Sequence, residues 1–199
     1  MTIKKGYGES FGLKWPMPPN PLGTPKPLIL LAISHAIISG MDSVGTTIPI
    51  RHTLASLAYR TARAIENAPP EFAKFETGPD PRTPERILAH MGDLMDWALS
   101  LVEGAQKWQN SDPLPWPDEV ARFFRALEAF DQSIATVGID VETANRLFQG
   151  PIADALTHTG QLAMLRRMAG CPIHGENYFV ADIVIGRAGI DQSPPRQAF

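Results

Sequence analysis

Ile87, Leu88, Met91, Leu94, Met95, Ala98, Leu99 and Val102 recur at three- and four-residue intervals, an unbroken apolar stripe that a helix brings to one side. Thr83-Pro84-Glu85 opens it: threonine suits the capping position, and proline suits the first helical position, where its missing N–H costs nothing. A helix so striped must bury that face against something of the same kind. The chain supplies three partners. Leu54, Leu57, Ala58, Thr61, Ala62 and Ile65 form a helix that starts at Ile48 and stops at Pro69-Pro70. Val120, Phe123, Phe124, Leu127 and Phe130 form another, with Asp118 and Glu119 in its first turn, where the helix dipole favours acid, and Gly138 at its end. The last opens near Asp140 or Pro151 and runs through Ile152, Ala155, Leu156, Leu162, Leu165 and Met168 to Gly170, with Pro151 as a source of kinking. Four such helices predict an all-α fold, a four-helix bundle with extended N- and C-terminal segments.

Outside the bundle the chain reads differently. Residues 1–44 are expected to be an N-terminal strap and a short helix: positions 1–26 are broken by Gly and Pro, with Phe11 and Trp15 as packing anchors, and the apolar run 27–39 forms a helix over part of the core. Residues 45–170 make the bundle. Residues 171–199 make a tail packed on it, in which 178–185 suit either a short strand or an extended strap. The apolar run 27–39 falls short of the ~20 residues of a membrane span. With that and a lone cysteine, Cys171, which has no internal partner, the expected compartment is the cytoplasm. Eighteen basic against 21 acidic residues give a net charge of −3 with no basic stripe, which argues against nucleic acid as a partner.

Chemistry is sparse. There is no Gly-rich phosphate loop, no Gly-x-Ser-x-Gly and no His-Glu-x-x-His. Of the five histidines, His52 reads as a surface residue and His174 as a solvated loop residue, while His35 lies within the apolar run 27–39. His90 and His158 differ. His90 sits at the edge of the second helix's apolar stripe, and His158 follows Asp154 by four residues, so those two side chains leave the same face of the fourth helix. An imidazole and a carboxylate so spaced can close on one cation, and His90 from a facing helix would complete a three-ligand set with room for water or substrate. Gln161 lies beside this set, with Ala155 and Gly160 as small residues that let helices approach. The same i,i+4 spacing also suits a plain helix pair. Met91, Met95, Met164 and Met168 read as core packing.

Two blocks, Arg82-Thr-Pro-Glu-Arg-Ile-Leu-Ala-His90-Met-Gly-Asp-Leu and Ala155-Leu-Thr-His158-Thr-Gly-Gln161-Leu, resemble the DinB-like (DinB/YfiT) superfamily of proposed metalloenzymes. Those proteins are four-helix bundles with a long connection between the second and third helices. They usually hold a metal by one histidine from the second helix and a His-x-x-x-His pair from the fourth. The resemblance spans about residues 45–170. It implies a divalent metal ion (zinc, nickel or iron) held by His90, Asp154 and His158, with Asp154 standing where the family has histidine. That departure leaves three outcomes open: an intact site, a preference for a harder ion, or a vestigial site. The resemblance further implies a thiol S-transferase or related transferase or hydrolase, a small-molecule substrate such as a low-molecular-weight thiol, and a homodimer. The alternative is a non-catalytic bundle that has lost the metal and serves as a binding or scaffold protein.

Overall fold

The structure, a computed structural model, describes residues 32–79 and 82–199, with side chains from Gly45 onward. The expected anchors Phe11 and Trp15 and the strap around them lie outside the described residues, as does the side chain of His35. The architecture is all-α. Helix α1 spans Ala32–Ile65, α2 Pro84–Val102, α3 Trp116–Val137, α4 Val141–Leu147 and α5 Ala153–Met168. A π turn, Phe148–Ile152, joins α4 to α5, so these three pieces act as the fourth helix of the bundle. In the ring of helices α2 lies between α3 and α5, and α1 closes the other side between the same two.

Local chemistry explains where each helix starts and stops. At α2, Thr83 and Pro84 occupy the cap and first positions as the sequence predicts. The threonine hydroxyl makes no cap bond, however, and is buried without a partner, so the start rests on backbone geometry and proline alone. Asp140 is a working cap: its carboxylate accepts from the Thr143 backbone N–H at 2.6 Å, which settles the start of the fourth helix. Pro151 widens this helix rather than ending it. Its nitrogen has no proton to donate, and the ladder resumes through a bond from Ala153 N–H to the Phe148 carbonyl, five residues back.

The first helix is longer than the sequence suggested. The helix expected within 27–39 and the one expected from Ile48 are one element, running through Pro49 and across the boundary drawn at residue 45. The carbonyl that a proline ring crowds is that of the residue four before it, here Gly45, which has no side chain to add to the crowding. Thr53 donates its hydroxyl proton to the Pro49 carbonyl at 3.0 Å.

Leu54, Leu57, Leu88, Met91, Met95, Phe123, Leu127, Phe130 and Ile134 fill the core and are fully buried. Burying each such side chain contributes roughly 1.5–3 kcal/mol. Met164 and Met168 depart from the expected methionine stripe: they are 56% and 55% exposed, on the outer face of α5. Ala155 is buried as expected, but Gly160 is exposed, and a Cβ there would meet nothing within 4 Å, so it serves no close approach.

The tail contains no strand; it is a strap. A single bridge pairs Glu176 with Ala198, and a short turn covers Tyr178–Val180. Tyr59 of α1 donates to the buried Glu176 carboxylate at 2.6 Å, Arg60 lies over the Tyr178 ring at 4.1 Å, and Ala188 enters the core. No helix among the described residues is long and apolar enough to cross a membrane.

Candidate metal centre

Two contacts set the rotation of α5. On one side the Thr159 hydroxyl donates to the Ala155 carbonyl and accepts from Thr61 of α1, both at 2.9 Å and buried. His158, one residue earlier and about 100° round the helix, therefore turns towards α2. There it meets His90, whose ring centroid lies 4.9 Å away and nearly perpendicular. Asp154 bridges both: its Oδ2 is 3.3 Å from His90 Nε2 and its Oδ1 is 3.3 Å from His158 Nε2. One ligand atom from each of the three lies within 4.8 Å of the others. The sequence-based trio is brought together, and His52 and His174 are exposed and take no part.

Two of the separations, the 3.3 Å contacts of Asp154 with each imidazole, fit a shared cation. Bonds of about 2.0–2.1 Å at tetrahedral angles put neighbouring ligand atoms roughly 3.4 Å apart. Charge-assisted N–H···O bonds are shorter, at about 2.7–2.9 Å. The environment is graded: the His158 side chain is 5% exposed, His90 31% and Asp154 46%, so the site is closed at its base and open at its rim.

His158 is held by a further group. Its Nδ1 lies 2.7 Å from Gln161 Oε1; with the proton on Nδ1, the Nε2 lone pair faces Asp154. A second hydrogen bond that fixes the ring and its tautomer is the usual support of a metal-ligating histidine. Burial is the main cause that pushes the His158 pKa below its ordinary value; the Gln161 bond and the Asp154 charge oppose this, and His90 and Arg82 add to it. The ring is thus neutral at pH 7, the form that ligates. A lone pair and a carboxylate oxygen facing each other repel, and a cation between them removes that conflict.

Trp108 is the site residue that sequence reasoning missed. It lies in the connection between α2 and α3, which composition marks only as loop, yet its ring stands 5.9 Å from His90 and 5.7 Å from Trp97, edge to face with both. The loop is tied down on either side. Ser111 donates its N–H and hydroxyl to Asp93, and Leu114 N–H donates to Glu119. Arg122 then binds Glu119 at 2.7 Å and Asp93 at 3.0 Å. Two open depressions line the tail, one including Phe124, Glu128 and Ala188 and the other Ala62, Trp116 and Ile190; neither includes the trio. Cys171 is half-buried and lies outside the ligand set.

No family model matches the chain, and no curated protein or solved structure matches it.

Proposed function

We propose that this chain is a metal-dependent enzyme of the DinB-like type, a thiol S-transferase or related transferase or hydrolase acting on a small molecule. His90, Asp154 and His158 would hold one divalent cation. The observation that carries the reading is the convergence of one ligand atom each from His90, Asp154 and His158 within 4.8 Å of one another, with His158 Nδ1 held by Gln161. When bound, such a cation supplies Lewis acidity and favours the deprotonated form of a thiol or water that it meets. The chain's own part is to orient the ligands, to keep His158 neutral, and to wall the His90 side with Trp108. The thiol would come from outside, since Cys171 is not in the set.

The second reading, a metal-free binding or scaffold bundle, draws on the same His90–Asp154 contact taken as an ion pair. It requires the Gln161 amide to be turned over, so that His158 carries its proton on Nε2 and donates to Asp154. The two readings therefore differ in one tautomer. Protein purified without an affinity tag should contain close to one divalent ion per chain, and His158→Ala should lose it. Sub-stoichiometric metal in both proteins, with a nitrogen NMR spectrum showing the Nε2–H tautomer of His158, would leave the scaffold reading standing.

A further inference from the structure

The two depressions beside the tail run into one another: Pro117, Val120, Ile190 and Asp191 line both, so they form one groove past the opening turns of α3. One end lies at Gly186 of the tail, where an added Cβ would stand 3.1 Å from the Arg51 guanidinium of α1. The other end lies at Asn67 and Ala68, just past the close of the same helix. The groove is apolar where water reaches it: Val184, Ile185 and Ile190 are 42%, 40% and 51% exposed. An aromatic ring stands in each half, Phe124 in the first and Trp116 in the second. Glu128 and Asp191 line it too, and among the described residues neither carboxylate has an ion pair or a side-chain hydrogen bond. An apolar trough with unpaired carboxylates suits a chain that brings apolar side chains and positive charge.

We infer that the occupant of this groove is the chain's own proline-rich segment, Trp15-Pro-Met-Pro-Pro-Asn-Pro-Leu22. Three observations carry this. The first is chemical: proline-rich chain favours the polyproline form, which docks in grooves lined by aromatic and apolar side chains at little entropic cost. The second is length. At about 1.5 Å per residue, Arg51 lies about 28 Å along α1 from Ala32, and the stretch from Arg51 to Ala68 covers roughly 25 Å more. At about 3.1 Å per residue, the nine residues 23–31 span the first distance and the eight residues Trp15–Leu22 the second. The segment therefore runs back along α1, with Trp15 at the Trp116 end. The third is charge. Residues 1–31 hold Lys4, Lys5, Lys14 and Lys26 against Glu9 alone, whereas residues 32–199 hold 14 basic and 20 acidic residues. A positive segment thus meets a negative body.

The test uses the full chain grown with 5-fluorotryptophan. It reads trypsin cleavage after Lys14 together with the fluorine resonance of Trp15, assigned from Trp15→Phe. In the wild type that cleavage should be roughly tenfold slower than in a synthetic peptide of residues 8–24, because a protease tracks the population in which the segment is undocked. The Trp15 resonance should also differ from the peptide's. Val184→Asp/Ile190→Asp, at two exposed positions, should bring both readouts to those of the peptide while the resonances of Trp97, Trp108 and Trp116 report the fold. Trp15→Ala should likewise speed the cleavage in a chain whose groove is untouched. Wild type cut as fast as the peptide, or protection that survives both variants, overturns the inference. So does protection that appears only as the chain dimerises, which would assign the groove to the segment of a second copy.

Discussion

At the scale of single residues, His158 sets the terms. Its ring is buried, bonded through Nδ1 and faced by a carboxylate, and burial outweighs the two influences that favour its charged form. The consequence for pH has a definite sign. The folded-state pKa lies below the unfolded value of about 6.5, so in that window the unfolded chain binds the extra proton. Stability from this group is complete above about pH 6.5 and is lost as the pH falls towards the folded pKa. Urea midpoints of the metal-free protein at pH 7.5 and 5.0 should therefore fall further for the wild type than for His158→Gln. Equal falls would mean that His158 is not the residue that resists protonation.

Single glycines give a paired comparison at the scale of helices. Gly160 lies inside α5 with open space around it, while Gly170 ends the same helix at φ +74°. At that end Gly170 N–H donates to the Arg167 carbonyl and Cys171 N–H to the Arg166 carbonyl, a left-handed cap that closes the last turn. Gly160→Ala should raise stability by about 0.5–1 kcal/mol, because alanine lowers the entropy lost on forming a helix. Gly170→Ala should lower it by about 1 kcal/mol, because an added Cβ is strained at positive φ even with no neighbour to strike. Chemical denaturation of both variants checks this, and like signs would refute it. Arg166 performs another task of the same helix end: it is buried and donates to the carbonyls of Cys171, Ala64 and Glu66, tying the close of α5 to the close of α1. Its place in the last turn suits the helix dipole, while its service to a second helix is set by packing alone.

Across the whole molecule, Arg122 joins α2, α3 and the loop between them. It meets Asp93 and Glu119, whose side chains are 3% and 0% exposed, and Asp96 at the rim. Removing the cation would strand two buried carboxylates, so Arg122→Ala should cost about 3–5 kcal/mol. The loop that carries Trp108 should loosen with it, because Asp93 and Glu119 also hold Ser111 and Leu114. A urea titration with tryptophan fluorescence reads both effects; a loss under about 1 kcal/mol would show that the network is not a structural hub.

What the sequence determined by itself is local. Helix type, the stops at Gly138 and Gly170, the proline start of α2 and the shared face of Asp154 and His158 all follow from spacing and backbone chemistry within a few residues. Local rules also failed where two answers were locally acceptable. Met164 and Met168 fit a buried stripe by spacing yet face outward, since which side of α5 is covered depends on where α1 and α2 lie. Pro151, read as a source of kinking, lies in a π turn within the fourth helix, and Pro49 lies inside α1. The tertiary structure alone decided that His90 meets the other two ligands, that Trp108 reaches the site from a loop, and that the tail crosses α1 at Tyr59. These contacts span tens of residues of chain. Their distances are set by how helices pack, and no periodicity within one segment records the rotation of another.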